Sequence, residues 1–149
     1  MYKRILVGID GSKASYKALD KAVELSKAFN GKLFLVHAVP PIQDYVGLMT
    51  PTIEGALKVM EENARETLEK AARYASEKGA EVADIVVEVG GAGYVIIEKA
   101  KELNADLIVV GRRGVRSFIE KLMGSVSSEV VRHADRDVLV VEYYEESGK

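Results

Sequence analysis

The sequence contains no cysteine among its 149 residues. Neither a disulfide framework nor a thiolate metal site is therefore open to the chain. No apolar run approaches the roughly 20 residues that a membrane-spanning helix needs. The opening residues, MYKRILVGID, lack the charged, apolar and small-residue segments of a signal peptide. These absences predict a cytoplasmic protein that does not act on a membrane.

A large excess of either charge is also missing. Lys and Arg total 21, Asp and Glu total 23, and the net charge is −2. A general nucleic-acid binder carries a large basic excess, so the balance of charge argues against that class. The P-loop pattern GxxxxGK(S/T) is absent, and the two histidines, His37 and His133, are too few and too far apart for a metal site.

Five short runs rich in Val, Ile and Leu predict β-strands at 5–9, 33–39, 82–89, 106–111 and 137–143. Four of them are apolar at consecutive positions, as in strands that are buried on both faces of a parallel sheet. The run at 82–89 alternates instead, which indicates an edge strand. Its predicted apolar face consists of Ala83, Ile85, Val87 and Val89.

Apolar residues at helical spacing separate these runs and predict helices near 13–29, 54–78, 94–103 and 125–134. The segment FNG at 29–31 and Gly79 end the first two. GGAG at 90–93 lacks the spacing of a dinucleotide fingerprint and predicts a turn into the third helix. Strict alternation predicts one α/β domain over residues 1–149, an open parallel sheet with right-handed crossovers and helices on both faces.

One irregular segment, PPIQDYVGLMTPT at 40–52, interrupts this pattern. Three prolines and a glycine keep it out of regular structure. Because it follows the carboxyl end of the second strand, it either arches over a binding crevice or forms a surface loop.

Two of the predicted strands have a candidate ligand contact at their carboxyl end, a polar residue in one case and a glycine in the other. Doubly wound sheets bind ligands at the carboxyl ends of their strands, where the strand order reverses. Asp10 comes just after the first strand and Gly111 ends the fourth. A strand order of 3-2-1-4-5 would make these strands neighbours, so that both residues face one crevice, and would put the third strand at an edge.

The stretch after the fourth strand has the components of a phosphate site. Gly111 and Gly114 allow a close backbone approach and a positive φ angle. Gly124 opens the fourth helix, whose first amides, from Ser125 to Ser127, are expected to point outward at the positive end of the helix dipole. That end favours phosphate. Further donors come from Ser125, Ser127, Arg112, Arg113 and Arg116.

Asp10 is an acceptor and suits the hydroxyls of a sugar. The crevice then fits a nucleotide, with the ribose on Asp10 and the base over the ends of strands 1, 2 and 4. Backbone groups of Ile9 and Ala38 are expected to read the edge of the base. The alternative is structural, with Gly111 simply ending a strand and Gly124 simply preceding a helix.

The spacing resembles that of the universal stress protein family, specifically its ATP-binding branch. The family pattern is glycine, two residues, glycine, nine residues, glycine, then serine or threonine. Here it is met by Gly111, Gly114, Gly124 and Ser125. The resemblance extends to ILVGIDGS, VHAV, DLIVVGRRG and DVLVVE, and so spans essentially the whole chain.

The resemblance implies a Rossmann-like fold of the adenine nucleotide alpha hydrolase type, with strand order 3-2-1-4-5 and ATP or AMP in the crevice. Some members bind Mg²⁺ or Mn²⁺ with ATP. The implied ribose contact is Asp10. The implied adenine contacts are Gly8, Ile9, Ala38 and Val110. The implied phosphate contacts are Gly111, Gly114, Gly124, Ser125, Val126 and Ser127. Arg112 and Arg113 depart from the family, where a small polar residue and a histidine are common, and leave ATP versus AMP open.

The last strand, at 137–143, is apolar on both faces and would lie at the other edge of the sheet. Such an edge needs a cover, and pairing with a second copy across a two-fold axis supplies one. The resemblance also implies a homodimer through this strand. The alternative cover is the tail, with Tyr143 and Tyr144 folding back.

Three functions remain open. The first is an adenine-nucleotide-binding regulator or sensor in stress response, with at most slow ATP hydrolysis and a downstream partner that the sequence does not name. The second is an ATP-cleaving enzyme of the same architecture. The third is a dimeric interaction module without nucleotide. No Ser-His-Asp order or carboxylate pair marks a hydrolase, which favours the first.

Overall fold

A computed structural model describes residues 1–41, 53–113 and 125–144. Its elements are β1 (Arg4–Gly8), α1 (Lys13–Phe29), β2 (Lys32–Val39), α2 (Ile53–Glu77), β3 (Val82–Val89), α3 (Ala92–Glu102), β4 (Leu107–Arg113), α4 (Ser125–His133) and β5 (Asp137–Tyr143). Every predicted element is present, with bounds within one or two residues of those expected. The predicted loop at 40–52 lies, beyond its first two residues, outside the described ranges.

The five strands form one parallel sheet in the order β3-β2-β1-β4-β5. β1 is central, and its Ile5 pairs with Leu33 of β2 on one side and Leu107 of β4 on the other. The chain adds β2 and β3 on one side of β1 and then β4 and β5 on the other. The carboxyl ends of β1 and β4 therefore flank the point where the strand order reverses. The predicted α/β class and strand order are confirmed.

Helices cover both faces of the sheet. Ile5 and Val7 pack into the layer that contains α1 and α2, whereas Leu6 packs into the layer of α3 and α4. Successive side chains of a strand point to opposite faces. A strand that is covered on both faces is therefore apolar throughout, which explains the unbroken apolar runs.

β3 is an edge strand, as its alternation predicted. Its pairing with β2 shifts register at Ala83, which lies exposed, and Val89 at the end of the strand is exposed as well. The apolar face therefore holds only at Ile85 and Val87, which pack against the core. The prediction was wrong at Ala83 because an irregularity in strand pairing breaks the two-residue period.

The ends of α1 follow local signals. Ser12 precedes the helix, and its side chain accepts a hydrogen bond from the backbone N–H of Ser15. At the other end, Asn30 is left-handed with φ of 55°, and the N–H of Gly31 donates to the carbonyl of Ser26 at 2.8 Å. The predicted stop at FNG is confirmed, with the asparagine taking the left-handed position.

Candidate functional site

A crevice with a volume of about 310 Å³ opens at the carboxyl ends of β1, β2 and β4. It lies where the strand order reverses, the usual ligand position in doubly wound sheets. The strands and the two residues after β1 contribute Gly8, Ile9, Asp10, Val36, Ala38, Val110, Gly111 and Arg112. The amino-terminal parts of α1, α3 and α4 contribute Ser12, Ala14, Ser15, Ala92, Ile96, Ser125, Val126 and Ser127. Most of the predicted site residues therefore surround one cavity.

The structure does not describe the middle of the glycine pattern. Gly114 and Gly124 lie outside the described residues, as does Arg116. Arg113 is described only by its backbone, at the end of β4. The two ends of the pattern, Gly111 and Ser125, both line the crevice.

Asp10 lies exposed just beyond β1, and its Oδ1 accepts a hydrogen bond from the Ser12 backbone N–H at 2.9 Å. Although the residue is exposed as a whole, nearby protein atoms partly desolvate its carboxyl, which raises the pKa. Hydrogen bonds from Ser12 and Ser15, together with the nearby His37 imidazole, outweigh that desolvation and hold the pKa of Asp10 below its usual range. Asp10 is therefore an ionised acceptor at neutral pH, suited to a ligand hydroxyl.

Ile9 uses its backbone groups within the protein. Its N–H donates to the carbonyl of Val36 at 2.8 Å, and its carbonyl accepts from Nδ1 of His37 at 2.6 Å. The N–H of Ile9 is therefore engaged within the sheet, and a contact between the backbone of Ile9 and a base stays a prediction. Backbone groups two residues apart in a strand point the same way. The backbone groups of Ala38 therefore point toward β1, as those of Val36 do. They lie past Gly8, the last residue of β1 that pairs with β2.

Gly111 has a packing role as well as its place in the crevice. It lies within β4, opposite Val141 of β5. A Cβ at this position would overlap the carbonyl oxygen of Ala14 and lie 2.6 Å from the carbonyl carbon. Glycine thus lets β4 approach the start of α1. The expected positive φ at Gly111 is wrong; in this region that conformation occurs at Gly11, with φ of 85° between Asp10 and α1.

The amino-terminal end of α4 forms one wall of the crevice. Ser125 is the first residue of the helix and is exposed, whereas Ser127 is 2% exposed. Amides in the first turn of a helix have no acceptor within it, and they lie at the positive end of the dipole. This wall therefore suits an anionic group, and a phosphate on the amides from Ser125 to Ser127 stays a prediction.

A model of the universal stress protein family matches residues 1–142. The chain belongs to this family. Universal stress protein YxiE of Bacillus subtilis is 35% identical over 148 residues, which cover 95% of this chain and 99% of the relative. Universal stress protein MJ0531 of Methanocaldococcus jannaschii is 32% identical over 142 residues, which cover 95% and 82%. A solved universal stress protein in complex with cAMP is 30% identical, with a TM-score of 0.71, over 94% of this chain and 97% of that one.

Arg112 directly follows Gly111 in β4. Arg112 lines the crevice, and its guanidinium is engaged by Glu142 of β5, whose Oε1 accepts from Nε at 2.8 Å. The sequence predicts Arg112 as a donor to phosphate but gives no sign of its partner Glu142, which is 30 residues away.

Several crevice residues were not predicted, because the sequences at the starts of their helices match no binding motif. Ser12, Ala14 and Ser15 belong to the start of α1, and Ala92 and Ile96 to α3. A Cβ on Gly8 would lie 2.8 Å from Cδ1 of Ile96, so this glycine admits the α3 side chain above the crevice floor. The polar stretch after β1 and the double glycine before α3 were the available signals.

No helix in the described ranges is long and apolar enough to span a bilayer. Within the same ranges, no three His, Asp or Glu side chains come close enough together to hold a metal ion.

Proposed function

We propose that the crevice binds an adenine nucleotide, ATP or AMP, and that the chain, as one domain over residues 1–149, acts in the cytoplasm as a nucleotide-dependent regulator or sensor in stress response. The observation that carries the proposal is an ionised carboxylate, Asp10, facing the same cavity as the start of α4 at Ser125. A carboxylate accepts from ribose hydroxyls, and a helix amino terminus stabilises phosphate.

The remaining walls fit the base and the phosphates. Val110 and Ile96 are buried apolar residues that provide a surface for the flat base, next to the backbone of Ala38. We assign the phosphates to the start of α4 and to the glycine pattern that precedes it. The residues of this assignment are Gly111, Arg112, Arg113, Gly114, Gly124, Ser125, Val126 and Ser127. The solved family member in complex with cAMP, 30% identical to this chain, supports an adenine nucleotide as the class of ligand.

Denaturing the purified protein by heat and examining the supernatant tests this proposal. Released adenine nucleotide, identified by absorbance and mass, is the expected result, together with a raised melting temperature of nucleotide-free protein in millimolar AMP or ATP. Absence of both effects would favour the third function, an interaction module without nucleotide.

ATP hydrolysis is expected to be slow at most. The lowered pKa of Asp10 makes it a weak general base, and Nδ1 of His37 is tied to Ile9. A Mg²⁺ or Mn²⁺ ion that accompanies ATP would be held mainly by phosphate oxygens, because the described residues form no three-ligand cluster. Release of ADP over many turnovers would instead favour the ATP-cleaving enzyme.

We also propose a homodimer through β5, residues 137–143. β5 is the outer strand on its side of the sheet, and its residues from Val138 to Val141 are only partly buried within the chain. An apolar edge of this kind is stabilised by pairing with a second copy. Light scattering during size-exclusion chromatography should give twice the mass of the chain; the mass of one chain would contradict the dimer.

A further inference from the structure

Arg112 and Glu142 form an ion pair that joins the crevice to the outer strand of the sheet. Nε of Arg112 donates to Oε1 of Glu142 at 2.8 Å, and Nη2 lies 2.7 Å from the same oxygen. The two residues are register partners in β4 and β5. Because Arg112 also lines the crevice, the residue that makes this ion pair borders the space for a ligand.

The pair is held more firmly than a typical surface contact. The side chain of Arg112 is 17% exposed and that of Glu142 is 39% exposed. The second carboxylate oxygen, Oε2, accepts from the hydroxyl of Tyr144 at 3.2 Å. Partial burial strengthens the attraction between the charges, and contacts at both oxygens limit the motion of the carboxylate.

The charges of the pair cancel at the wall of the crevice. A guanidinium carries five N–H donors in a plane, and the contacts with Glu142 use its Nε and Nη2 groups on one edge. An arginine can engage a second anion through its other edge. A phosphate that approaches Arg112 therefore meets its donors but also the negative charge of Glu142.

We propose that Glu142 sets the phosphate preference of the crevice by neutralising Arg112. The inference rests on the nucleotide function proposed above. ATP carries about two more negative charges than AMP at neutral pH, since each added phosphate brings roughly one. Removing the carboxylate leaves net positive charge and favours ATP, whereas removing the guanidinium leaves net negative charge and favours AMP. The intact pair discriminates little between them.

Calorimetric titration of AMP and ATP at low ionic strength, without added metal, tests the proposal in four proteins: wild type, Glu142→Gln, Arg112→Gln and the double variant. The readout is the ratio of the AMP Kd to the ATP Kd. We expect this ratio to rise about fourfold in Glu142→Gln and to fall about fourfold in Arg112→Gln, as two unit charges roughly 8 Å away would produce in a water-like dielectric. The double variant restores neutrality and should return to the wild-type ratio.

Two further variants separate charge from structure. Arg112→Lys keeps the positive charge while losing the planar fork, so it should keep the wild-type ratio even if it alters stability. Glu98→Gln is the matched control: Glu98 has a side chain 39% exposed and lies 3.6 Å from Lys101 on α3, outside the crevice lining. This control should leave the ratio unchanged.

The outcomes are distinct. A ratio that stays constant or falls in Glu142→Gln, or a double variant that does not return to the wild-type ratio, overturns the role of Glu142 while leaving nucleotide binding in place. Wild-type protein that binds neither nucleotide overturns the proposed function and this inference together. Opposite shifts in the two single variants, with the control unchanged, support the inference.

Discussion

Nδ1 of His37 lies 2.6 Å from the carbonyl oxygen of Ile9 and ties the segment after β1 to β2. A carbonyl oxygen only accepts hydrogen bonds, so Nδ1 is the donor in this contact. Together with the bond from the Ile9 N–H to Val36, this contact fixes the residue that precedes Asp10. The floor of the crevice is thereby set by β2 as well as by β1.

Replacing His37 with leucine should lower the free energy of unfolding by about 1–3 kcal/mol, because the partly buried carbonyl of Ile9 loses its donor. His37→Asn places an amide N–H near the position of Nδ1 and should recover a large part of that loss. Urea unfolding of both variants measures the difference. Equal stability of the leucine and asparagine variants would show that the hydrogen bond contributes nothing.

The contact between Gly111 and Ala14 leads to a second prediction. A Cβ at Gly111 would overlap backbone atoms, which cannot rotate away as a flexible side chain can. Gly111→Ala should therefore destabilise the protein by about 1–3 kcal/mol. Gly91→Ser is the control, since a Cβ there meets no atom within 4 Å and serine is favoured before a helix. Thermal unfolding that ranks the two variants equally would contradict the packing role of Gly111.

The lowered pKa of Asp10 gives a pH dependence with a definite sign. Because the pKa is lower in the folded chain than in the unfolded one, ionised Asp10 contributes stability above about pH 4 that is lost as the pH falls through the folded value. Asp10→Asn keeps an acceptor for the Ser12 N–H but does not titrate. Its unfolding midpoint in urea should therefore fall less than that of the wild type between neutral pH and pH 3. If the urea midpoints of the two proteins changed in parallel with pH, ionisation of Asp10 would not contribute to stability.

The fold followed from local pattern because each strand is covered on both faces or clearly on one. Leu6 and Val7 point to different layers, and a parallel sheet between two helical layers requires such consecutive apolar residues. The edge position of β3 followed from its alternation. The register shift at Ala83 did not, because it depends on how β3 meets β2 and leaves no local signal.

The lining of the crevice was predictable where chain order places a residue at a strand end or a helix start, as for Asp10, Gly111 and Ser125. Contacts between distant segments were not predictable. The partner of Arg112 is fixed by the β4–β5 register, and Ile96 reaches the crevice through the packing of α3 over Gly8. Both depend on tertiary geometry that periodicity does not encode.

The most direct test of the central claim is a crystal structure of the protein grown with AMP or ATP. Density for the nucleotide should lie between the Asp10 carboxylate, next to the ribose hydroxyls, and the first turn of α4 at Ser125, next to the phosphates. Density for solvent alone between these two points, in crystals saturated with nucleotide, would contradict the account.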